Sequence, residues 1–323
     1  MRILSGMRPT GRLHLGHLSV LENWLRLQEN NDCFFFVADW HALTTEFENP
    51  GDIKGFIREM VADWLAVGID PEKSVVFVQS DIPEHAELHL IFSMFTPLSW
   101  LERVPTYKDQ VRKLAEQGKD ITTYGFLGYP LLQAADILIY LADGVPVGED
   151  QLPHIELCRE VARRFNHLYA PVFPEPQGIL AEIKLVPGID GQKMSKSYHN
   201  EIPLTAATDE IGRLTNLMVT DPARIRKDDL GHPEVCTVFK YHAIYNTEVA
   251  GIEAECRAGK IGCVPCKKRL FQLTEGVLGP VRERRAALTA RKGYVEEVLH
   301  EGRIKAQRVA ADTLGKARAA LGI

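Results

Sequence analysis

The chain has 323 residues, of which 45% are hydrophobic and 25% are charged, and its formal net charge is −5. This composition is typical of a globular protein that is long enough for two domains and a sizeable core. The net negative charge excludes a surface that is basic overall, so a nucleic-acid partner would have to meet a local basic patch.

Export and membrane insertion are not expected. The apolar run within Met1–Gly6 is too short for a signal peptide. The apolar stretches Cys33–Trp40 and Tyr129–Ala142 are each interrupted by an aspartate and are shorter than a membrane span. We therefore expect a cytoplasmic protein whose six cysteines are thiols or ligands rather than disulfides.

The first segment predicts a strand over Arg2–Gly6, a turn at Pro9–Gly11 and a helix that begins near His14. The N-terminus of such a helix carries partial positive charge and free N–H groups, which suit phosphate. His14 and His17 share one helix face, so both can donate hydrogen bonds to a phosphate whose charge grows in a transition state. Gly16 has no side chain and lets an adenine ring approach the backbone. The simpler alternative is a pair of surface histidines.

Strand and helix patterns then alternate, which predicts an α/β fold with a doubly wound parallel sheet and a ligand site at the carboxyl ends of its strands. Further strands are predicted over Cys33–Ala38, Ser74–Gln79 and Val145–Val147, and helices over Ile53–Val67, Glu84–Phe95, Trp100–Val104, Tyr107–Glu116 and Tyr129–Tyr140. A last helix of this part is predicted after Gln151 and continues through Phe165.

The alternation stops after Ser197, where only helical patterns remain. They cover Leu204–Val219, Phe239–Tyr245, Lys267–Val277, Gly279–Glu297 and Ile304–Leu321. We therefore predict a catalytic domain over residues 1–199 and a helical domain over residues 200–323. Residues 281–323 hold ten Lys and Arg against five Asp and Glu, which suits a nucleic-acid backbone, although a solvated helical face explains any single residue equally well.

One face of the predicted helix Tyr129–Tyr140 is polar in an otherwise apolar helix. It carries Tyr129, Gln133, Asp136 and Tyr140. Because an unpaired buried carboxylate is costly, Asp136 needs a hydrogen-bond donor. Either another protein group supplies it, or the donor arrives with a ligand, as an indole N–H or a phenol O–H would.

Two further segments have the chemistry of a nucleotide site. The turn Gly148–Gln151 follows a strand. Asp150 can therefore accept a hydrogen bond from a ribose hydroxyl or simply cap the next helix. Gln151 can accept a hydrogen bond from an ammonium group. In the loop Lys193–Ser197, two lysines three residues apart can follow a departing pyrophosphate. A solvated Lys/Ser loop is the alternative.

Four cysteines lie within the predicted helical domain: Cys236, Cys256, Cys263 and Cys266. Four thiols within 31 residues, two of them as Cys-x-x-Cys, favour a metal site in a chain without an export signal. Their spacing leaves a structural zinc or an iron–sulfur cluster open.

Taken in order along nearly the whole chain, these motifs resemble the class I aminoacyl-tRNA synthetases, most closely the bacterial tryptophanyl-tRNA synthetases. The resemblance is carried by Pro9–Gly11, His14–His17, Tyr129–Tyr140, Val145–Gln151 with His154, Lys193–Ser197 and Gly279–Arg284. It implies a Rossmann-like catalytic domain and a helical anticodon-binding domain, activation of L-tryptophan with ATP and Mg²⁺, transfer to tRNA(Trp), and a homodimer.

The resemblance also implies roles for single residues. Catalysis is assigned to His14, His17, Lys193, Ser195 and Lys196. ATP binding is assigned to Arg8, Pro9, Thr10, Gly16, His17, Gly148, Glu149, Asp150, Val186, Lys193, Met194, Ser195, Lys196 and Ser197. Tryptophan binding is assigned to Tyr129, Gln133, Asp136 and Gln151.

The chain departs from common bacterial members at three positions. Those members often have Gln where this chain has Arg8, Asn where it has His17, and Met where it has Gln133. Because Gln is common in this helix of tyrosyl-tRNA synthetases, that activity is the nearest alternative. A nucleotidyltransferase that does not use tRNA and a non-catalytic binding protein are more distant ones.

The four cysteines are similar to those of a subset of bacterial tryptophanyl-tRNA synthetases that hold a 4Fe–4S cluster in the helical domain, although the first gap is shorter here. The resemblance favours a cluster with ligands Cys236, Cys256, Cys263 and Cys266 over the runner-up, Zn²⁺.

Overall fold

The fold is built on one parallel sheet, seen in a computed structural model that describes residues 1–116, 118, 120–180, 185–195 and 198–323. The strands lie in the order β3-β2-β1-β4-β5, and each neighbouring pair is parallel. They are β1 (Arg2–Met7), β2 (Asp32–Val37), β3 (Ser74–Val78), β4 (Gly144–Val147) and β5 (Gln177–Leu180). The order reverses direction beside β1, which is where doubly wound sheets bind ligands.

Helices surround the sheet and continue to the C-terminus. In the described residues they are α1 (Leu15–Gln28), α2 (Asp39–Glu46), α3 (Ile53–Val67), α4 (Glu84–Ser93), α5 (Leu98–Glu102), α6 (Pro105–Glu116), α7 (Tyr124–Ile139), α8 (Leu152–Leu168), α9 (Thr208–Leu217), α10 (Thr237–Tyr245), α11 (Val249–Arg257), α12 (Cys263–Ala290) and α13 (Tyr294–Leu321). The bounds predicted for α3 are confirmed, whereas α2, α11 and β5 were not predicted. None of the described helices combines the length and apolarity needed to cross a bilayer.

Alternating side chains of the strands build two apolar layers, one on each face of the sheet. Along β2, Cys33 and Phe35 belong to the layer that contains α1 and α3, and Phe34 and Phe36 to the layer that contains α4, α7 and α8. Because both faces are covered, the predicted doubly wound α/β class is confirmed.

The C-terminal helices contribute to both layers. Leu270 and Leu278 of α12 are buried in the first layer, and Ala306, Ala310 and Leu314 of α13 in the second. The helical part therefore shares its hydrophobic core with the sheet. The division at residue 200 stays a prediction.

Helix α12 differs from the sequence-based expectation of two helices that meet near residue 278. It continues through Pro280, although proline removes a backbone hydrogen bond and favours a break. Arg282 spans this point, because its guanidinium donates to the Glu275 carboxylate and to the Ala206 carbonyl, the latter at 2.8 Å. Tertiary bonds of this kind hold a helix that its local sequence would interrupt.

Helix α13 lies against the edge strand β3. A Cβ on Gly302 would stand 1.7 Å from the Val76 carbonyl oxygen, so only glycine permits this approach. The helix covers a strand edge that would otherwise be open to another chain.

Candidate active site

A cavity of about 360 Å³ opens where the carboxyl ends of β1, β2 and β4 meet α7. Its walls include backbone and side chains from all three strands, as the switch in strand order requires. Six predicted site residues line it together: Arg8, Tyr129, Gln133, Asp136, Gly148 and Gln151. The four residues predicted to bind tryptophan therefore share one cavity.

Asp136 lies at the floor of this cavity and is 1% exposed. Its Oδ2 is 2.7 Å from His41 Nε2, and its Oδ1 is 2.7 Å from His85 Nδ1. Gln79 Nε2 donates to Oδ1 at 2.8 Å and to Oδ2 at 3.0 Å. Of the two alternatives for the donor to Asp136, the protein one is therefore confirmed, since three protein side chains supply hydrogen bonds to it.

These donors change the electrostatics of Asp136 and occupy both of its oxygens. Burial raises the pKa of Asp136, but hydrogen bonds and charge from His41 and His85 outweigh burial and hold that pKa well below its ordinary value. An ionised carboxylate offers about four acceptor positions, and the three donor groups make four contacts, two at each oxygen. A ligand donor would therefore have to replace one of these contacts, the longest of which joins Gln79 to Oδ2 at 3.0 Å.

The network around Asp136 continues into the core. His85 is fully buried, and its Nε2 is 2.8 Å from the hydroxyl of Tyr140, which is buried as well. Tyr140, predicted on the polar face of α7, thus anchors the network instead of lining the cavity. Sequence reasoning missed His41, Gln79 and His85, because they come from three segments that only the tertiary fold brings to α7.

Tyr129 stands on α7 at the same wall as Gln133. Its hydroxyl is 3.4 Å from Nε2 of His154, which is 1% exposed. Burial lowers the pKa of His154 to about 4, so this imidazole is neutral at physiological pH. A neutral imidazole can orient the tyrosine hydroxyl without placing a positive charge near a bound ammonium group.

The turn after β4 holds Asp150 in a fixed position. A Cβ on Gly148 would stand 2.7 Å from Asp150 Oδ1, so the absent side chain makes room for this carboxylate. Asp150 also accepts from Gln151 Nε2 at 2.9 Å. The N-cap residue of α8 is Gln151, and no side chain caps that helix, so the alternative that Asp150 is a helix cap is wrong.

The two histidines at the start of α1 cap the helix. His14 Nδ1 accepts from the Gly16 N–H at 3.2 Å, and His17 Nδ1 accepts from the His14 N–H at 3.1 Å. A neutral imidazole that accepts at Nδ1 carries its hydrogen on Nε2. Each ring therefore carries its hydrogen on Nε2, and the predicted contact of either ring with a phosphate stays a prediction.

The backbone of the same helix end does not match the expectation of free N–H groups. The Leu15 N–H donates to the Ile202 carbonyl at 2.8 Å, and the His17 N–H donates to the His14 carbonyl at 2.8 Å. Together with the Gly16 bond, the first three helical N–H groups have protein acceptors. The expectation of free N–H groups at this helix end is therefore wrong.

The lysine loop is docked against the start of α1. Met194 is buried, and a Cβ on Gly16 would stand 3.6 Å from its sulfur. Asn200 ties the loop together, since it accepts from the Ser195 N–H at 2.8 Å and donates to Asp190 at 2.8 Å. Lys193 is exposed beside this anchored base.

The positions of several other predicted site residues do not test the roles predicted for them. Lys196 and Ser197 lie outside the described residues. Val186 is buried in the core layer that also contains α1, so its contact with ATP stays a prediction. The remaining residues predicted to bind ATP lie in turns at strand ends: Pro9, Thr10 and Glu149.

The four cysteines surround one small cavity of about 20 Å³ between α10, α11 and α12. In the described part of the chain, no three His, Cys, Asp or Glu side chains are placed to hold a metal ion. Two of the thiols contact other side chains: Cys256 Sγ is 3.7 Å from Arg224 Nη1, and Cys266 Sγ is 3.5 Å from His242 Nε2. The expected metal site is thus gathered around a common space but is not assembled at metal-binding distances.

Comparisons with known proteins agree with the geometry of the site. The profile of the tRNA synthetases class I (W and Y) family matches residues 1–279. A tryptophan–tRNA ligase of Thermotoga maritima is 53% identical and covers 100% of this chain and 99% of that protein. The ligase of Aquifex aeolicus is 45% identical, with 100% of both proteins covered.

Solved structures give the same fold. The tryptophanyl-tRNA synthetase of Campylobacter jejuni complexed with ADP and tryptophan has a TM-score of 0.89 and 32% identity, and 100% of both chains is covered. The tyrosyl-tRNA synthetase of Archaeoglobus fulgidus, at 20% identity and a TM-score of 0.67, shares the fold.

Proposed function

Because this chain belongs to the class I tRNA synthetases of the W and Y family, we propose that its cavity binds L-tryptophan over Asp136 and that ATP lies between the cavity and the lysine loop. The activity is that of a tryptophan–tRNA ligase. The observation that supports the assignment of the cavity is the buried carboxylate of Asp136, which lies at the floor of a cavity of about 360 Å³ with apolar walls.

The indole ring fits the chemistry of this cavity. Leu4, Phe36 and Val147 give it apolar walls, and Asp136 can accept the indole N–H. At the mouth, the Tyr129 hydroxyl and the Gln151 amide oxygen can accept hydrogen bonds from the ammonium group of the amino acid. The ring is thereby bound at one end and the reacting carboxylate is held at the other.

Activation begins when a carboxylate oxygen of tryptophan attacks the α-phosphorus of ATP. A new O–P bond forms, the bond to the β-phosphate oxygen breaks, and pyrophosphate leaves with the electron pair. Such a transfer depends mostly on positioning and on stabilisation of phosphate charge. We assign the charge stabilisation to Arg8, the two imidazole Nε2–H donors of α1, and Lys193 with Lys196. Mg²⁺ enters as part of the substrate, bound to the phosphate oxygens.

The second step needs no nucleophilic side chain either. A ribose hydroxyl at the 3′ end of tRNA(Trp) attacks the carbonyl carbon of tryptophanyl-adenylate, and AMP leaves. We assign to Asp150, which lies beside Gly148, a hydrogen bond accepted from a hydroxyl of the ATP ribose, which would keep the adenylate in position.

Selectivity needs a different explanation from an unsatisfied Asp136. Because His41, His85 and Gln79 donate to this carboxylate in the absence of a ligand, an amino-acid side chain without a donor leaves it paired, and the penalty is smaller than that for a bare carboxylate. The shape of the cavity must therefore reject phenylalanine and tyrosine as much as its polar contact does.

The helical part and the chain's surface suit the remaining partners. We propose that the basic C-terminal segment contacts the tRNA backbone and that residues 200–323 meet the anticodon. Leu90, Met94 and Leu98, in and just after α4, are exposed apolar side chains that suit the homodimer implied by the resemblance. Since charging of tRNA supplies protein synthesis, we place the enzyme in the cytoplasm.

A 4Fe–4S cluster held by Cys236, Cys256, Cys263 and Cys266 completes the proposal. Its support is that all four thiols line one cavity, together with the similarity of the cysteine pattern to that of cluster-bearing relatives. The cavity has room for about one water molecule, so its walls must move outward to hold the cluster. Its role would be to support the anticodon-binding surface.

Two measurements test these assignments. Purified enzyme should charge tRNA(Trp) with radiolabelled tryptophan, and charging with tyrosine alone would refute the substrate assignment. Protein purified without oxygen should be brown, with broad absorbance near roughly 400 nm. Colourless protein with one zinc per chain would favour Zn²⁺, and metal-free protein would remove the site.

A further inference from the structure

His41 is the one donor to Asp136 that also lines the cavity. It lies in the first turn of α2, and its side chain is 11% exposed, whereas His85 and Gln79 are fully buried and absent from the cavity wall. Of the described donors to Asp136, His41 is therefore the one that a ligand in the cavity can contact.

The helix that carries His41 is fixed to the sheet. Asp39, at the start of α2, accepts from the Ser80 N–H at 3.1 Å and from the Trp40 N–H at 3.1 Å. Ser80 directly follows Gln79, so the same short segment places two of the three donors to Asp136. The imidazole of His41 is therefore presented by a rigid support.

The two oxygens of Asp136 are held unequally. Oδ1 accepts hydrogen bonds from His85 at 2.7 Å and from Gln79 at 2.8 Å. Oδ2 accepts from His41 at 2.7 Å and has the longer Gln79 contact, at 3.0 Å. Both Gln79 contacts come from the same nitrogen. The bond from His41 is thus the main restraint on Oδ2, and the longer Gln79 contact with that oxygen is the one that a ligand donor can replace.

We propose that His41 is a positioning residue for amino-acid recognition: its Nε2–H holds Asp136 Oδ2 so that an indole N–H can take the acceptor position that Gln79 occupies at 3.0 Å. This inference rests on the proposed binding of tryptophan over Asp136. Without His41, Gln79 or water can take the vacated side of Oδ2, and the acceptor no longer has a single direction.

The consequence concerns ligands that donate to Asp136, not ligands in general. Loss of one oriented hydrogen bond to a charged group should raise the KM for tryptophan about tenfold. The KM for ATP and kcat should stay within about twofold, because His41 does not contact the phosphates. A tryptophan analogue that lacks the N–H should be affected much less.

The test compares L-tryptophan with β-(3-benzothienyl)-L-alanine, in which sulfur replaces the indole N–H. ATP–pyrophosphate exchange is measured for the wild type, His41→Ala, His41→Gln and His41→Phe. Gln keeps a donor near the position of Nε2, whereas Phe keeps the ring and loses the donor. Leu43→Ala is the matched control, since Leu43 is an exposed residue of the same helix outside the cavity wall. Urea midpoints show whether each variant is folded.

We expect His41→Ala and His41→Phe to lose most of the preference for tryptophan over the analogue and His41→Gln to recover most of it. Equal weakening of both ligands would make His41 a packing residue and overturn the inference, as would tighter tryptophan binding without His41. If His41→Ala does not fold, the comparison of Gln with Phe decides. A wild type without preference for tryptophan over the analogue would overturn the role of Asp136 itself, which is a distinct failure.

Discussion

Replacement of Asp136 by asparagine probes the recognition carboxylate while it keeps the volume of the side chain. Alanine is less suitable, because it would leave the buried donors of His41, His85 and Gln79 without partners, at about 1–3 kcal/mol each. With Asp136→Asn, the amide oxygen can still accept from His85 and Gln79. The amide N–H₂ then replaces Oδ2, and His41 can respond by accepting at Nε2 instead of donating.

The structure separates two effects of this substitution. Folding should lose about 1–3 kcal/mol, because the charged acceptor of a buried hydrogen-bond network becomes a neutral one. Tryptophan binding should lose about 2–4 kcal/mol, because a charge-assisted hydrogen bond disappears and a donor then faces the indole N–H. That loss corresponds to a rise of about 30- to 1000-fold in the KM for tryptophan.

ATP–pyrophosphate exchange at varied tryptophan and varied ATP measures the effect on each substrate, and urea denaturation measures stability. The KM for ATP should change less than threefold in the folded variant. A folded variant with an unchanged KM for tryptophan, or with equal losses for both substrates, would show that Asp136 serves the core and not the ligand.

Three further predictions concern the lysine loop, a buried carboxylate and a helix contact. Lys193→Ala and Lys196→Ala should each lower kcat of tryptophan activation, measured by ATP–pyrophosphate exchange, by about 100- to 1000-fold. The Kd for tryptophan, measured by equilibrium dialysis, should change little. Lost tryptophan binding at a normal kcat would contradict the proposed role of the lysine loop. Burial raises the pKa of Asp63 to about 6, although Arg285, 2.6 Å away, opposes the shift. Between about pH 4 and 6 the folded chain therefore binds more protons than the unfolded chain. Its free energy of unfolding should fall by about 2 kcal/mol as the pH rises through this range. In urea denaturation at several pH values, Asp63→Asn should not show that fall. Parallel profiles of stability against pH for the variant and the wild type would refute the assignment of this titration to Asp63. Gly302→Ala should destabilise the protein by several kcal/mol, because the new Cβ would collide with the Val76 carbonyl. The control Gly315→Ala, in the same helix but with open space around it, should change stability by less than about 1 kcal/mol. Equal urea midpoints for the two variants would contradict the close contact of Gly302 with Val76.

Local sequence patterns predicted what depends on local geometry. Helical spacing placed Tyr129, Gln133 and Asp136 on one face of α7, and the structure brings that face to the cavity. The apolar strands and the alternation with helices likewise predicted the doubly wound sheet. These features follow from periodicities of the chain itself.

The errors concern groups whose partners are distant in sequence. Asp136 receives donors from His41 and His85, which are 95 and 51 residues away, and the Leu15 N–H finds its acceptor at Ile202. No single-sequence pattern indicates which remote donor reaches a buried carboxylate, because tertiary packing decides it. The continuity of α12 through Pro280 has the same origin, since Arg282 reaches Ala206 across the core.

The most direct test of the account is ATP–pyrophosphate exchange measured with each of the standard amino acids in turn. The account predicts exchange that depends on tryptophan, with tyrosine and phenylalanine at least about 100-fold lower in kcat/KM. Exchange that depends on tyrosine and does not respond to tryptophan would contradict it.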